Sequence, residues 1–114
     1  MATPPLPVTF ITGATAAPRP VHRKHDLKVT SRVTASEDGK VLMDVEIYGP
    51  KGHRVKQHTW TVTLTGGARR DLAFTWHVGA HRKRGRYTVK VGVFEPSWAS
   101  LLSWNNAATT FRVR

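Results

Sequence analysis

Cysteine is absent from the 114 residues, so neither a disulfide framework nor a thiolate metal site can be built. Acidic residues are scarce as well. Seven Asp and Glu stand against eighteen Lys and Arg, for a formal net charge of +11 and an isoelectric point near 11.2. No apolar run approaches the ~20 residues that a membrane-spanning helix requires. The G-x-S-x-G, H-E-x-x-H, phosphate-loop and Gly-rich dinucleotide signatures are all missing. The acids are scattered at Asp26, Glu37, Asp38, Asp44, Glu46, Asp71 and Glu95. Asp44 and Glu46 share one strand face about 6.5–7 Å apart, a spacing that mimics a glycosidase pair. An outward sheet face offers no cleft to exclude water, however, and the chain reads as non-catalytic. Metal binding is not expected either. His22, His25, His53 and His58 have few carboxylates near them, and the surrounding positive charge repels cations. No cofactor is implied.

What is present is period-two alternation between turn signals. Leu27, Val29, Ser31 and Val33 share a face; Val41, Met43, Val45 and Ile47 form the next, with Asp44 and Glu46 opposite. Trp60, Val62 and Leu64 follow, then Leu72, Phe74, Trp76 and Val78, then Tyr87, Val89, Val91 and Val93, and finally Phe111 and Val113. Asp38-Gly39, Gly49-Pro50-Lys51-Gly52 and Gly66-Gly67 supply the turns. A single helical turn is expected within residues 97–103. The pattern predicts one all-β domain, an immunoglobulin-like antiparallel β-sandwich of about six to eight strands with Greek-key connections. Residues 25–114 form that domain in this reading. Residues 1–24, rich in Pro, Ala and Thr, are expected to be a flexible, disordered leader rather than an intact signal peptide.

The run Gly85-Arg86-Tyr87-Thr88-Val89-Lys90-Val91-Gly92-Val93-Phe94, followed by Trp98, Trp104-Asn105-Asn106 and Phe111, is distinctive as a combination. With Val45-Glu46-Ile47-Tyr48-Gly49-Pro50 and Phe74-Thr75-Trp76 upstream, it resembles the bacterial immunoglobulin- or fibronectin III-like accessory domain. Such domains occur beside glycoside hydrolases and in extracellular carbohydrate-active proteins. The resemblance spans residues 27–114 and implies a non-catalytic, exported module, secreted or periplasmic, that contacts glycans or a cell-surface partner, or acts as a spacer. The strong basic charge departs from that pattern.

Two sets of residues are candidates for binding. Trp98, Trp104, Asn105 and Asn106, expected in a loop from Glu95 to Asn106, combine aromatic faces for sugar rings with amides for hydroxyls. The same tryptophans could instead cap the core. Tyr48 and Phe94 fall on outward parity and are possible neighbours. Trp60 and Trp76 face inward and are expected in the core. The alternative site is cationic: Arg82, Lys83, Arg84 and Arg86, with Lys51, Arg54 and Lys56, for a polyanion such as acidic polysaccharide, a heparin-like chain or nucleic acid. These two clusters lie on different connections, and sequence order does not require them to merge. No aromatic interleaving favours single-stranded nucleic acid. A third reading is a structural or protein-interaction domain that adds a partner's strand at its edge. The chain reads as a monomer.

Overall fold

The computed structural model describes residues 8–114. Among the described residues there are seven strands: β1 (Phe10–Ala17), β2 (Asp26–Ala35), β3 (Gly39–Tyr48), β4 (Arg54–Leu64), β5 (Arg70–His77), β6 (Gly85–Phe94) and β7 (Leu101–Val113). One 3₁₀ turn, Pro96–Trp98, precedes β7. All strand pairs are antiparallel. They form a three-stranded sheet in the order β1-β2-β5 and a four-stranded sheet in the order β4-β3-β6-β7.

The alternation explains the layering. Leu27, Val29 and Val33 of β2 and Phe74 and Trp76 of β5 face Met43, Val45, Ile47, Val89, Val91 and Val93 across the sandwich, all of them buried. One end of this core is aromatic. Tyr87 stacks on Phe111 at 5.4 Å, Trp76 stands 5.9 Å from Tyr87, and the Tyr87 hydroxyl donates to the Lys83 carbonyl at 2.5 Å. Trp60 is only half-buried, beside His58 and Phe74 at the β4 edge.

The leader assignment is corrected over its second half. Residues 10–17 pair with β2 over their whole length, from Phe10 opposite Ala35 to Ala17 opposite Lys28. Ala14 and Ala16 enter the core. The chain then crosses to the other sheet. Val21, fully buried, forms a parallel bridge to Val113, with hydrogen bonds of 3.0 Å to and from the β7 backbone. Small side chains hide this strand from a hydrophobicity pattern, because it is held by ladder hydrogen bonds and close approach rather than by bulky apolar groups. Residues 1–7 of the expected leader lie outside the described residues.

Antiparallel order sends the connections to two ends. The turns at 18–25, 49–53 and 78–84 share one end with residue 114. The turns at 36–38, 65–69 and 95–100 share the other.

Candidate functional site

The outer face of the four-stranded sheet is built from the positions that alternate with the core. On β6, Tyr87, Val89, Val91 and Val93 point inward, so Arg86, Thr88, Lys90, Gly92 and Phe94 point out. Register places Asp44, Gly92 and Trp104 in one row across β3, β6 and β7, with Thr59 extending it on β4. The next row holds Gln57, Glu46 and Lys90.

Gly92 is the centre of an aromatic platform. A Cβ at this position would lie 2.8 Å from both the Phe94 and the Trp104 rings, so the two rings meet over the bare backbone. Trp98 packs edge-on against Phe94 at 4.8 Å. Ser97 and Trp98 adopt φ of 62° and 63°. This left-handed conformation is uncommon for residues with side chains and here sets the direction of the Trp98 ring. Trp98 and Trp104 stay 47% and 38% exposed. Single exposed apolar residues are ordinary, whereas a contiguous aromatic patch marks a contact surface.

Beside the platform lie two carboxyl groups that the sequence pattern placed in solvent. Asp44 is 0% exposed and Glu46 is buried, which corrects that expectation. Side chains from three strands cover them. Gln57 donates its amide to Asp44 Oδ1 at 2.9 Å, the Tyr48 hydroxyl donates to Glu46 at 2.5 Å, and Arg54 stands 3.7 Å from Glu46. Lys90 lies over the Tyr48 ring at 4.2 Å.

Burial, reinforced by the hydrogen bond and charge of Glu46, pushes Asp44 up to about 7. Burial acts on Glu46 in the same direction, but the hydrogen bonds from Asp44 and Tyr48 and the charges of Arg54 and Lys90 outweigh it. Glu46 is held below the usual carboxylate value. The pair therefore retains one proton near neutrality, on Asp44 and shared toward Glu46. Asp44 Oδ2 is buried and has no hydrogen-bond partner among the described residues, which adds to the cost of ionising this carboxyl. With so little exposure the carboxyls act beneath the surface, where they fix the Gln57 amide, the Tyr48 hydroxyl and the Arg54 guanidinium.

Each residue expected at the glycan site has a definite place. Trp104, Asn105 and Asn106 lie on β7, because the loop ends at residue 100 and strand pairing resumes at Leu101. Trp104 Nε1 donates to Asn106 Oδ1 at 3.3 Å, which joins the two on the outer face. Asn105 does not join them. It lies opposite inward-facing Val91, and its amide donates to the Thr12 carbonyl and hydroxyl oxygens, both at 3.3 Å. Asn105→Ala should cost about 1 kcal/mol in denaturant unfolding, through the loss of this tie between β7 and β1. Ligand affinity should not change.

No protein-family model matches the sequence, and no curated protein is similar to it in sequence. Solved structures do resemble it in shape. The C-terminal domain of Wzt matches with a TM-score of 0.72 at 13% identity, covering 94% of this chain and 73% of that one. The CARDB domain of a Pyrococcus furiosus protein, solved in complex with di-metal ions, matches with a TM-score of 0.64 at 22% identity, covering 93% and 86%. A β-glucosidase from Listeria innocua in complex with isofagomine matches at 0.59 and 14% identity over 93% of this chain, but only 16% of the enzyme. The fold is an immunoglobulin-like β-sandwich. At these identities the likeness extends to fold alone, and the association with glycoside hydrolases is weak. Among the described residues no three His, Asp or Glu side chains gather as metal ligands.

The residues of the cationic alternative divide. Lys51 and Lys83 come together, although they lie on different turns, and with His53, His81 and Arg82 they line an open cleft of about 430 Å³ at one end. The Lys51 ammonium, at hydrogen-bonding range of Lys83, holds Lys83 below the usual lysine value. The Arg82 guanidinium lies over the Trp76 ring at 5.4 Å. Arg54 instead joins Glu46, and Lys56 lies half-buried on β4 opposite Ile47. Arg84 is exposed on the same end turn. Arg86 projects from β6 opposite Arg112. The sequence reading weighed Asp44 and Glu46 as a catalytic pair and set them aside as outward-facing, and it missed Gln57 and Gly92 as parts of a site. The signal for the platform was Gly92 itself, a residue without a side chain in the interior of β6.

Proposed function

We propose that the chain is a non-catalytic binding module that takes a glycan on the outer face of the four-stranded sheet. The observation that carries this reading is the meeting of the Phe94 and Trp104 rings over Gly92, beside amides held in fixed orientation. A sugar ring presents an apolar face of C–H groups and a rim of hydroxyls. The rings receive the face by stacking. The Asn106 amide keeps its N–H donors for the rim, while Gln57, whose amide nitrogen is directed to Asp44 and Glu46, keeps its carbonyl oxygen as an acceptor. Because the buried carboxyls fix Gln57 before any ligand arrives, less conformational freedom is lost on binding.

Trp104→Ala should weaken binding to a retained polysaccharide at least tenfold, about 1.4 kcal/mol, while leaving the unfolding midpoint close to that of the parent. Affinity electrophoresis through gels containing a panel of soluble polysaccharides measures the first, and urea unfolding the second. Equal retardation of parent and variant on every polysaccharide would overturn the reading.

A further inference from the structure

The outer face does not end at the aromatic platform. Arg86 and Arg112 stand directly opposite each other on β6 and β7, on the same face as Gly92 and Trp104. The six residue steps along β6 from Gly92 to Arg86 set the two groups about 20 Å apart along the sheet. Arg19 and Arg114 join this arginine pair around a cleft of about 310 Å³, whose floor includes Thr110 and Phe111. Among the described residues, none of the four takes part in an ion pair. Like charges directly opposite on neighbouring strands destabilise a sheet, so an unpaired Arg86–Arg112 couple is a standing cost unless an anion lies between them. Lys90 stands between the platform and the arginines on the same face.

We infer that the ligand of this face is an acidic glycan, one of whose sugars stacks at Trp104 while its carboxylate, phosphate or sulfate groups are received by Arg86, Arg112 and Arg19. This rests on the glycan reading above and narrows it. Arginine suits the task because its planar fork can hold a carboxylate or phosphate with two parallel hydrogen bonds. An extended chain is needed to engage both groups, since no single sugar spans the interval. The alternation of Thr88 and Lys90 along β6 leaves a polar track between them.

The test is a glycan array carrying neutral, carboxylated, phosphorylated and sulfated oligosaccharides, with single-stranded oligothymidylate as a charge control. It is probed with the parent, R86A/R112A, W104A and K51A/K83A. The last variant removes the same charge from the same end, but away from the face. Acidic glycans should be bound, with affinity falling tenfold or more between 50 and 200 mM salt. R86A/R112A should lose at least tenfold on them, W104A should lose comparably, and K51A/K83A less than threefold. Binding confined to neutral glycans and indifferent to R86A/R112A would overturn this inference and leave the glycan reading standing. Oligothymidylate binding as tight as that of the acidic glycans, unaffected by W104A, would overturn both in favour of bare charge. An equal loss in K51A/K83A would place the anion site in the end cleft. No binding to any oligosaccharide would overturn both readings.

Discussion

Asp44→Asn is expected to raise stability at pH 8 by about 1–3 kcal/mol, and to lose most of that advantage by pH 4. The Asp44 carboxyl is fully buried, and its pKa rises in the fold to about 7 from an ordinary 3.8. A raised carboxyl favours the protonated folded state. Its contribution is therefore complete below about pH 4 and declines as pH rises through 7. Above that point the fold must hold an ionised group in a covered position beside the Glu46 charge. Asparagine keeps the shape, stays neutral at every pH and can still donate to Glu46. Glu46 works in the opposite sense: its lowered pKa contributes above about 4.5 and is lost as pH falls below. For this pair alone the optimum lies between about pH 4 and 5. Urea unfolding at half-unit intervals from pH 4 to 8 measures the slope, and a variant with the parent's slope would show that Asp44 is not the titrating group. Gln57 should be nearly undisturbed by the change, because the carbonyl oxygen of the substituted amide accepts the same hydrogen bond.

The largest loss of stability is expected at the other end of the core. Tyr87→Ala should cost about 3–5 kcal/mol, as removal of a buried aromatic ring leaves a cavity between two sheets. Tyr87 is almost completely enclosed, and Phe111 and Trp76 pack on its ring. Tyr87→Phe keeps the ring and removes only the hydroxyl bonded to the Lys83 carbonyl, for a cost of about 1 kcal/mol. Guanidinium unfolding of the two variants separates packing from hydrogen bonding. That hydroxyl also fixes the turn carrying Lys83 and Arg84, so Tyr87→Phe should loosen the turn. Faster proteolytic nicking within residues 78–84 would register it. Equal costs for the two variants would mean that the hydroxyl, rather than the ring, dominates.

Strands β2 to β6 were legible from alternation because their inward residues are large and β-branched or aromatic, as Val89, Val91 and Val93 are. β1 was not, since Ala14 and Ala16 bury too little surface to stand out and their neighbours are Thr and Gly. Alternation also tells which side of a strand a residue takes, but not whether that side is covered. Asp44 and Glu46 were correctly separated from Val45, yet their burial depends on Gln57 and Arg54 arriving from β4. Trp104 was legible as a candidate contact by chemistry. Its place on a strand was not, because β7 is irregular: Val89 pairs with Thr109 and Val91 with Asn105, so two steps on β6 meet four on β7. That irregularity also sends Asn105 inward, away from Asn106. The approach of Lys51 to Lys83 follows from strand direction, which places alternate turns at the same end. No local pattern carries that information.

The parallel bridge between Val21 and Val113 has a mechanical consequence. The chain enters β1 at one end of the sandwich and leaves β7 at the other, so tension between Phe10 and Arg114 runs along the strands. The backbone hydrogen bonds from Val21 to Arg112, from Arg114 to Val21 and from Arg23 to Arg114 are then loaded together in shear. Bonds loaded in that way must break at once, whereas a peeled hairpin opens one bond at a time. A segment with almost no hydrophobic signature thus acts as the latch against stretching.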